Sequence, residues 1–275
     1  MRLVAHISDL HFGMEDEQII EGLLDDVAGF HPSVVVISGD LTQRARKKQF
    51  EAARAFIRKI PVPCLVVPGN HDIPLYDVVR RVLKPLSRYR HYITTDLNPV
   101  FQDDELMILG TNTARAAAFK NGRISTAQIR ILADKFCAAG SHLFKVLVTH
   151  HPFLPPLDNP YAVLVGRGAL AVEALEPCGI DLLLAGHYHR DYLGDLQSHY
   201  ITVKRSILVA QSGTTISKRT RSEKNSYDRI IIDLPDICFD RYAWDGRRFA
   251  KTMTTRYKKV NGAWQLHPQN IHETR

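Results

Sequence analysis

The sequence predicts an α/β fold in which strand–helix units come first and a β-rich region follows. As far as about residue 190, short apolar runs alternate with stretches whose apolar residues recur at helical spacing. Beyond residue 195 the runs are shorter, partly alternating, and lack helical patterns between them, which favours antiparallel strands. The chain has 275 residues, 45% of them hydrophobic and 24% charged, enough for one large α/β domain. No internal repeat, low-complexity tract or interdomain linker interrupts it, so residues 1–275 are expected to form a single domain. Residues 235–275 then form a basic, strand-rich extension.

In chain order, "RLVAHIS" (2–8) reads as a strand and "EQIIEGLLDDVAGF" (17–30) as an amphipathic helix. "SVVVIS" (33–38) is a second strand, "KKQFEAARAFIRKI" (47–60) a second helix and "PCLVV" (63–67) a third strand. A looser, Arg-rich segment precedes "ELMILG" (105–110) and the helix "STAQIRILADKFCAAG" (125–140), for which Ser125 is the expected N-cap. "LFKVLVT" (143–149) and "IDLLLA" (180–185) follow, separated by a Pro-rich loop (152–160) and a helix near 168–177. "HYITV", "SILVAQSG", "YDRIIIDL" and "ICFDRYAW" supply the later strands.

No stretch approaches the ~20 apolar residues of a membrane span. "MRLVAHISDLHFG" turns polar too early for a signal peptide, so the expected location is the cytoplasm. Cys64, Cys137, Cys178 and Cys238 are widely spaced without a CxxC pair and read as reduced thiols packed in a core. The net charge of +7 is concentrated in "RARKK" (44–48), "KRTRSEK" (218–224) and "RRFAKTMTTRYKK" (247–259). Such runs fit an anionic ligand but do not by themselves indicate nucleic acid.

The chemistry collects where the apolar runs end. "HIS" leads into Asp9-Leu10-His11, and "VVVIS" into Gly39-Asp40. "CLVVP" leads into Gly69-Asn70-His71-Asp72, "VLVT" into His150-His151-Pro152, and "DLLLA" into Gly186-His187-Tyr188-His189. Each cluster alone has an ordinary explanation as a turn, a helix cap or a strand end. Together they place metal-competent side chains after five strands, and α/β sheets bind ligands at the carboxyl ends of their strands. Four imidazoles, two carboxylates and an amide exceed what one four-coordinate ion takes. They suit two ions about 3.5–4 Å apart sharing a carboxylate. Mixed N and O donors without thiolate favour Mn, Fe, Zn or Co over Mg or Ca. His6, His31, His91, His142 and His199 have no such partners and read as structural or surface residues. Gly166-Arg167-Gly168 looks like a fragment of a phosphate loop but lacks the remainder of any Gly-rich fingerprint.

Asp9-x-His11, Gly39-Asp40, Gly69-Asn70-His71-Asp72, His150 and Gly186-His187-x-His189 together resemble the calcineurin-like metallophosphoesterase superfamily, with every signature block present in order. The resemblance spans residues 3–189 and continues more weakly through 212–233. It implies a four-layer α/β/β/α sandwich of two mixed sheets with a dimetal centre at one sheet edge. It further implies that Asp9, His11, Asp40 and His189 hold one ion. Asp40 then bridges to a second held by Asn70, His150 and His187. A hydroxide between the ions would attack phosphorus, His71 would stabilise the transition state or protonate the leaving oxygen, and Asp72 would orient His71. The family's H-x-P pattern selects His150 over His151 as the ligand.

Within the superfamily, "GDLT" (39–42), "NGRISTAQIRIL" (121–132) and "NSY" (225–227) are similar to the bacterial class III cyclic nucleotide phosphodiesterases. That implies a small phosphodiester substrate, 3′,5′-cyclic nucleotides among them. The chain departs from many of those relatives in placing Gln43-Arg44, rather than an acidic residue, after Gly-Asp-Leu-Thr. Three other readings share parts of this pattern. A hydrolase of a UDP-sugar lipid precursor typically has arginine where His71 stands. A DNA-repair exonuclease needs long capping segments. A non-catalytic scaffold would have lost ligands that this chain retains.

Overall fold

Two mixed sheets lie face to face with helices on both outer surfaces, in a computed structural model that describes residues 1–200, 203–220 and 223–267. The first sheet is founded on three parallel strands, β1 (Arg2–Ile7), β2 (Val34–Ile37) and β3 (Cys64–Val66). Helices α1 (Glu17–Phe30) and α2 (Lys47–Lys59) connect them. Two short helices, α3 (Val78–Leu83) and α4 (Ser87–Tyr92), lead out of this half. The second sheet comprises β4 (Val100–Gln102), β5 (Leu106–Gly110), β6 (Phe144–Val148), β7 (Leu182–Ala185), β8 (Tyr192–Asp195) and β9 (Leu208–Gln211). Its order is β4-β5-β6-β7-β9-β8, with α5 (Thr126–Ala138) and α6 (Gly168–Leu175) as crossovers. The chain then returns to the first sheet, where β10 (Ser226–Asp233) pairs antiparallel with β1. Strands β11 (Asp236–Trp244), β12 (Phe249–Val260) and β13 (Ala263–Leu266) extend the sheet outward.

The four layers follow from side-chain alternation. Successive residues of a strand face opposite sides, and both sides of these strands are covered, so the runs are continuously apolar. Val4, Val34, Val36, Ile108, Val146, Leu184 and Leu208 fill the layer between the sheets. Ala5, Val35 and Ile37 face Ile20, Leu23, Phe50 and Phe56 of α1 and α2. Leu109, Leu147, Leu183 and Val209 face Leu132, Phe136 and Val172 of α5 and α6. Each fully buried Val, Ile or Leu stabilises the fold by about 1.5–3 kcal/mol relative to exposure.

The helices begin where their caps dictate. Asp16 accepts from the Gln18 amide at the start of α1, and Ser125 forms a reciprocal capping box with Gln128 at α5. Lys145 breaks the apolar alternation of β6. Its Nζ donates to the carbonyls of Phe136, Ala139 and Cys178 at 2.8–3.1 Å. It thereby satisfies carbonyls at the end of α5 and in the turn after α6.

Three sequence expectations are corrected. Cys137 and Cys178 form a disulfide that ties the end of α5 to the turn after α6, so only Cys64 and Cys238 are free thiols. The pairing depends on helix packing across 41 positions, which spacing does not reveal. The Arg-rich segment contains α3 and α4 rather than loop alone. Of "HYITV" (199–203), residues 201–202 lie outside the described residues, and 199, 200 and 203 are not in a strand. No helix among the described residues is long and apolar enough to cross a membrane.

Candidate metal centre

Register brings the five sequence clusters to one level. Ile7 pairs with Ile37 and Ile37 with Val66 in the first sheet, and Val148 with Leu184 in the second. The residues that follow these pairs therefore emerge together at the carboxyl end of both sheets. The turns there are sharply bent. Asp9, His11, Asp40, His187 and His189 all adopt left-handed backbone, with φ between 47° and 80°. Such backbone costs an L-residue of order 1–3 kcal/mol and persists where the surroundings enforce it. Glycine allows the closest approaches: a Cβ on Gly69 would lie 2.1 Å from Asp40 Oδ1, and one on Gly186 1.9 Å from Ser8 Oγ.

The side chains converge in two half-sites. In the first, His11 Nε2 lies 3.2 Å from His189 Nε2, and both nitrogens lie 3.5 Å from Asp9 Oδ1. In the second, Asn70 Oδ1 lies 3.1 Å from both His150 Nε2 and His187 Nδ1. Asp40 stands between them, with Oδ2 3.7 Å from His11 Nε2 and Oδ1 3.4 Å from His150 Nε2. Asp9, His11, Asp40, His150 and His189 are buried, and Asp9 Oδ1 and His11 Nδ1 have no hydrogen-bond partner.

Two imidazole nitrogens facing each other at 3.2 Å, beside a buried carboxylate oxygen without a donor, form an arrangement that a cation satisfies. The supporting bonds point the same way. The carbonyls of Ser38 and Arg219 lie 2.8 Å and 3.1 Å from Nδ1 of His150 and His189, which holds a proton on each Nδ1 and directs each Nε2 to the centre. Burial lowers His187 to about 3 and His189 to about 4, so both rings are neutral. Burial alone would raise Asp9 and Asp40, but the surrounding imidazoles outweigh it and hold both carboxyls below their usual range. Burial also works against a charge on His150, yet the Asp40 carboxylate outweighs it and lifts the ring to about 9.

His151 is buried beside His150, but both of its ring nitrogens are engaged, Nδ1 with Thr113 Oγ1 at 2.7 Å and Nε2 with the Lys120 carbonyl at 2.9 Å. His150 is therefore the one whose Nε2 faces the centre. His71 lies at the mouth. Its amide donates to Asp40 Oδ1, Nδ1 contacts the Gln43 carbonyl at 2.8 Å, and Arg219 Nη1 donates to Nε2 at 2.9 Å. Asp72, expected to orient that ring, makes its hydrogen bonds to the backbone beside it. Its oxygens accept from the amides of Leu41, Thr42 and Gly69 and from Thr42 Oγ1, and none of these bonds reaches the imidazole. Burial and Asp40 push its carboxyl up to about 6.

Gln43, Arg44 and Arg219 were not among the expected site residues. Arg44 Nη1 lies 3.3 Å from His71 Nδ1. Their signal was present as the departure after Gly-Asp-Leu-Thr and as one basic run among several, but a backbone carbonyl's role is invisible in side-chain type. Arg190 and Tyr188, next to the ligand candidates in sequence, turn elsewhere: Arg190 pairs with Asp158 and Glu223, and the Tyr188 hydroxyl donates to the Val163 carbonyl.

Comparison with known proteins agrees with this geometry. The chain is similar to the glycerophosphodiester phosphodiesterase GpdQ of Enterobacter lignolyticus (strain SCF1), 28% identical over 203 residues, covering 68% of this chain and 70% of that one. It is similar at 24% identity over 202 residues to a probable cyclic nucleotide phosphodiesterase of Pseudoalteromonas sp. (strain SM9913), covering 69% and 72%. Its fold matches the purple acid phosphatase PPD1 of yellow lupin (Lupinus luteus) with a TM-score of 0.70 at 10% identity. That match covers 92% of this chain and 53% of the lupin chain, so the present chain spans about half of that longer protein. The family model for calcineurin-like phosphoesterases matches residues 2–191, and with its dinuclear donor set assembled at the strand ends, the chain belongs to that family of phosphoric ester hydrolases.

Proposed function

We propose that the chain is a dinuclear metal-dependent phosphodiesterase acting on a small organic phosphodiester. Asp9, His11, Asp40 and His189 would hold one divalent ion, and Asp40, Asn70, His150 and His187 the other. The observation that carries this reading is the division of Asp40, whose two oxygens face His11 at 3.7 Å and His150 at 3.4 Å. Imidazole nitrogens with carboxylate and amide oxygens suit Mn, Fe or Zn. When bound, the ions supply Lewis acidity at the phosphoryl group and acidify water for attack on phosphorus.

The chain's own residues supply orientation and proton control. Asn70 Nδ2 donates to the Phe119 carbonyl at 3.3 Å, which turns its uncharged oxygen toward the two imidazoles. His71, neutral and with Nδ1–H directed to Gln43, presents a lone pair at Nε2 that accepts from Arg219. A phosphoryl oxygen arriving at the mouth would compete for that guanidinium. Transfer of the guanidinium to the substrate would place positive charge beside the transition state and free the Nε2 lone pair to take the proton lost by the attacking water and return it to the leaving oxygen.

The two curated relatives are named for glycerophosphodiester and cyclic nucleotide hydrolysis, and those are the two substrate classes to separate. The test is metal-stripped protein reloaded with Mn²⁺, Fe²⁺ or Zn²⁺ and assayed on bis-p-nitrophenyl phosphate, a glycerophosphodiester and 3′,5′-cyclic AMP. Metal-dependent diester turnover abolished by Asp40→Ala supports the reading, and the preferred natural diester assigns the class. No turnover with any metal overturns it.

A further inference from the structure

We propose that an arginine-lined cleft beside the metal centre binds a second phosphoryl group of the substrate, an inference that rests on the phosphodiesterase reading above. The cleft has a volume of about 610 Å³, and Arg115, Arg123 and Arg167 line it. Among the described residues none of the three makes an ion pair with a carboxylate, whereas Arg2, Arg190, Arg229 and Arg241 each do. Burial and the proximity of Arg123 and Arg167 lower Arg115, so the three cations feel one another. Like charges left together without a counter-ion raise the free energy of the folded chain unless an anion arrives.

The cleft is built rather than accidental. Segments 122–124 and 165–167 are zipped by backbone bonds, Gly166 N–H to the Gly122 carbonyl at 2.8 Å and Ile124 N–H to the Gly166 carbonyl at 3.0 Å. This bridge fixes the separation of Arg123 from Arg167. Arg115 is held in turn, donating from Nε and Nη2 to the Arg123 carbonyl and from Nη2 to Gln128 Oε1. All of its acceptors are neutral. Gly166-Arg167 thus has a role that its fragmentary glycine pattern could not indicate.

The cleft also adjoins the reaction site. Its wall includes Ala118 and Asn121, and between them the Phe119 carbonyl accepts from Asn70 while the Lys120 carbonyl contacts His151. One segment therefore presents its carbonyls to the metal centre and flanks the arginines. A diester seated on the half-sites would extend past this wall, and guanidinium forks bind phosphate bidentately. The substrate class this selects is a phosphodiester that carries a second phosphoryl group.

The experiment compares the wild type with an Arg123→Gln/Arg167→Gln variant, both metal-loaded. Each is assayed on dithymidylate with and without a 5′-phosphate, and on bis-p-nitrophenyl phosphate. The wild type is expected to favour the phosphorylated dinucleotide at least tenfold in kcat/KM. The variant should lose that preference while hydrolysing bis-p-nitrophenyl phosphate as before. An equal preference in both proteins, or none in the wild type, overturns the proposal. If neither protein cleaves any diester, the hydrolytic reading has failed, and the cleft is judged by inorganic pyrophosphate binding alone. A tenfold weaker Kd in the variant sustains it, and equal Kd values overturn it.

Discussion

Arg219 Nη1 donates to His71 Nε2 across 2.9 Å, joining the return segment before β10 to the turn after β3. The same residue's carbonyl contacts His189 Nδ1 at 3.1 Å, so its backbone serves one half-site and its side chain the mouth. Arg219→Ala removes only the side-chain function. It is expected to lower kcat toward bis-p-nitrophenyl phosphate roughly 10²-fold, the order found for loss of one transition-state donor. Metal content should be unchanged. His71→Ala should cost about as much, and the double variant little more than either alone, because the two act as one unit. Additive losses would show that they act separately.

The division of Asp40 between half-sites predicts unequal metal losses. Wild-type protein dialysed against Mn²⁺ or Zn²⁺ should retain about two ions per chain by elemental analysis. Asn70→Ala should lose one, because Asn70 faces only His150 and His187. Asp40→Ala should weaken both. A variant of Asn70 that sheds both ions equally would contradict two half-sites sharing one carboxylate.

His6 predicts part of the acid sensitivity. It is fully buried under the site with Nε2 2.9 Å from Ser38 Oγ, and burial, with Arg241 nearby, lowers it to about 3. The unfolded chain takes up this proton near pH 6.5, whereas the folded one resists it until about pH 3. Stability from this group is therefore complete above pH 6.5 and falls as the pH drops through that window. For this residue alone the loss between pH 7.5 and 4.5 is about 2–3 kcal/mol. Urea midpoints of His6→Gln should fall less steeply with acid than those of the wild type. Parallel curves would remove His6 as a cause.

The strands that carry the site were legible because each is apolar on both faces and ends abruptly in ligand-type residues, as β1 does at Asp9 and β3 at Asn70. Helices α1, α2 and α5 were legible from their apolar stripes and caps. The segment of α3 was not, because Val78, Val79, Val82 and Leu83 are 62–73% exposed and face no core. Position in sequence also could not show that Asp72 spends its oxygens on backbone amides, or that Arg219 reaches His71 across 148 positions. Those relationships exist only once both sheets have closed.

The Cys137–Cys178 bond predicts a definite thiol count. Non-reducing peptide mapping should find these two residues joined, leaving Cys64 and Cys238 free. Burial pushes Cys64 up to about 12 and Cys238 to about 11, so neither forms much thiolate at pH 8. Native protein should react slowly with thiol reagents and take up about two equivalents only on unfolding. Closing a loop of 41 residues stabilises by up to about 4 kcal/mol in the chain-entropy account, so reduction should lower the Tm.

Asp72 separates two kinds of role within one motif. Its carboxylate draws the amides of Leu41 and Thr42 toward that of Gly69, and these turns carry Asp40 and Asn70. Removing it with Asp72→Ala leaves three buried N–H groups without acceptors, a loss of about 2–4 kcal/mol. Asp72→Asn retains one oxygen but turns an N–H₂ toward other donors, so it should lie between the alanine variant and the wild type. If Asp72 acted on the His71 ring, the asparagine variant would shift the pH profile of kcat at unchanged stability. The hydrogen bonds predict the reverse: a lower Tm and weaker metal retention, with kcat at saturating metal close to wild type and its pH profile unmoved. A shifted profile with an unaltered Tm would assign Asp72 to His71 after all.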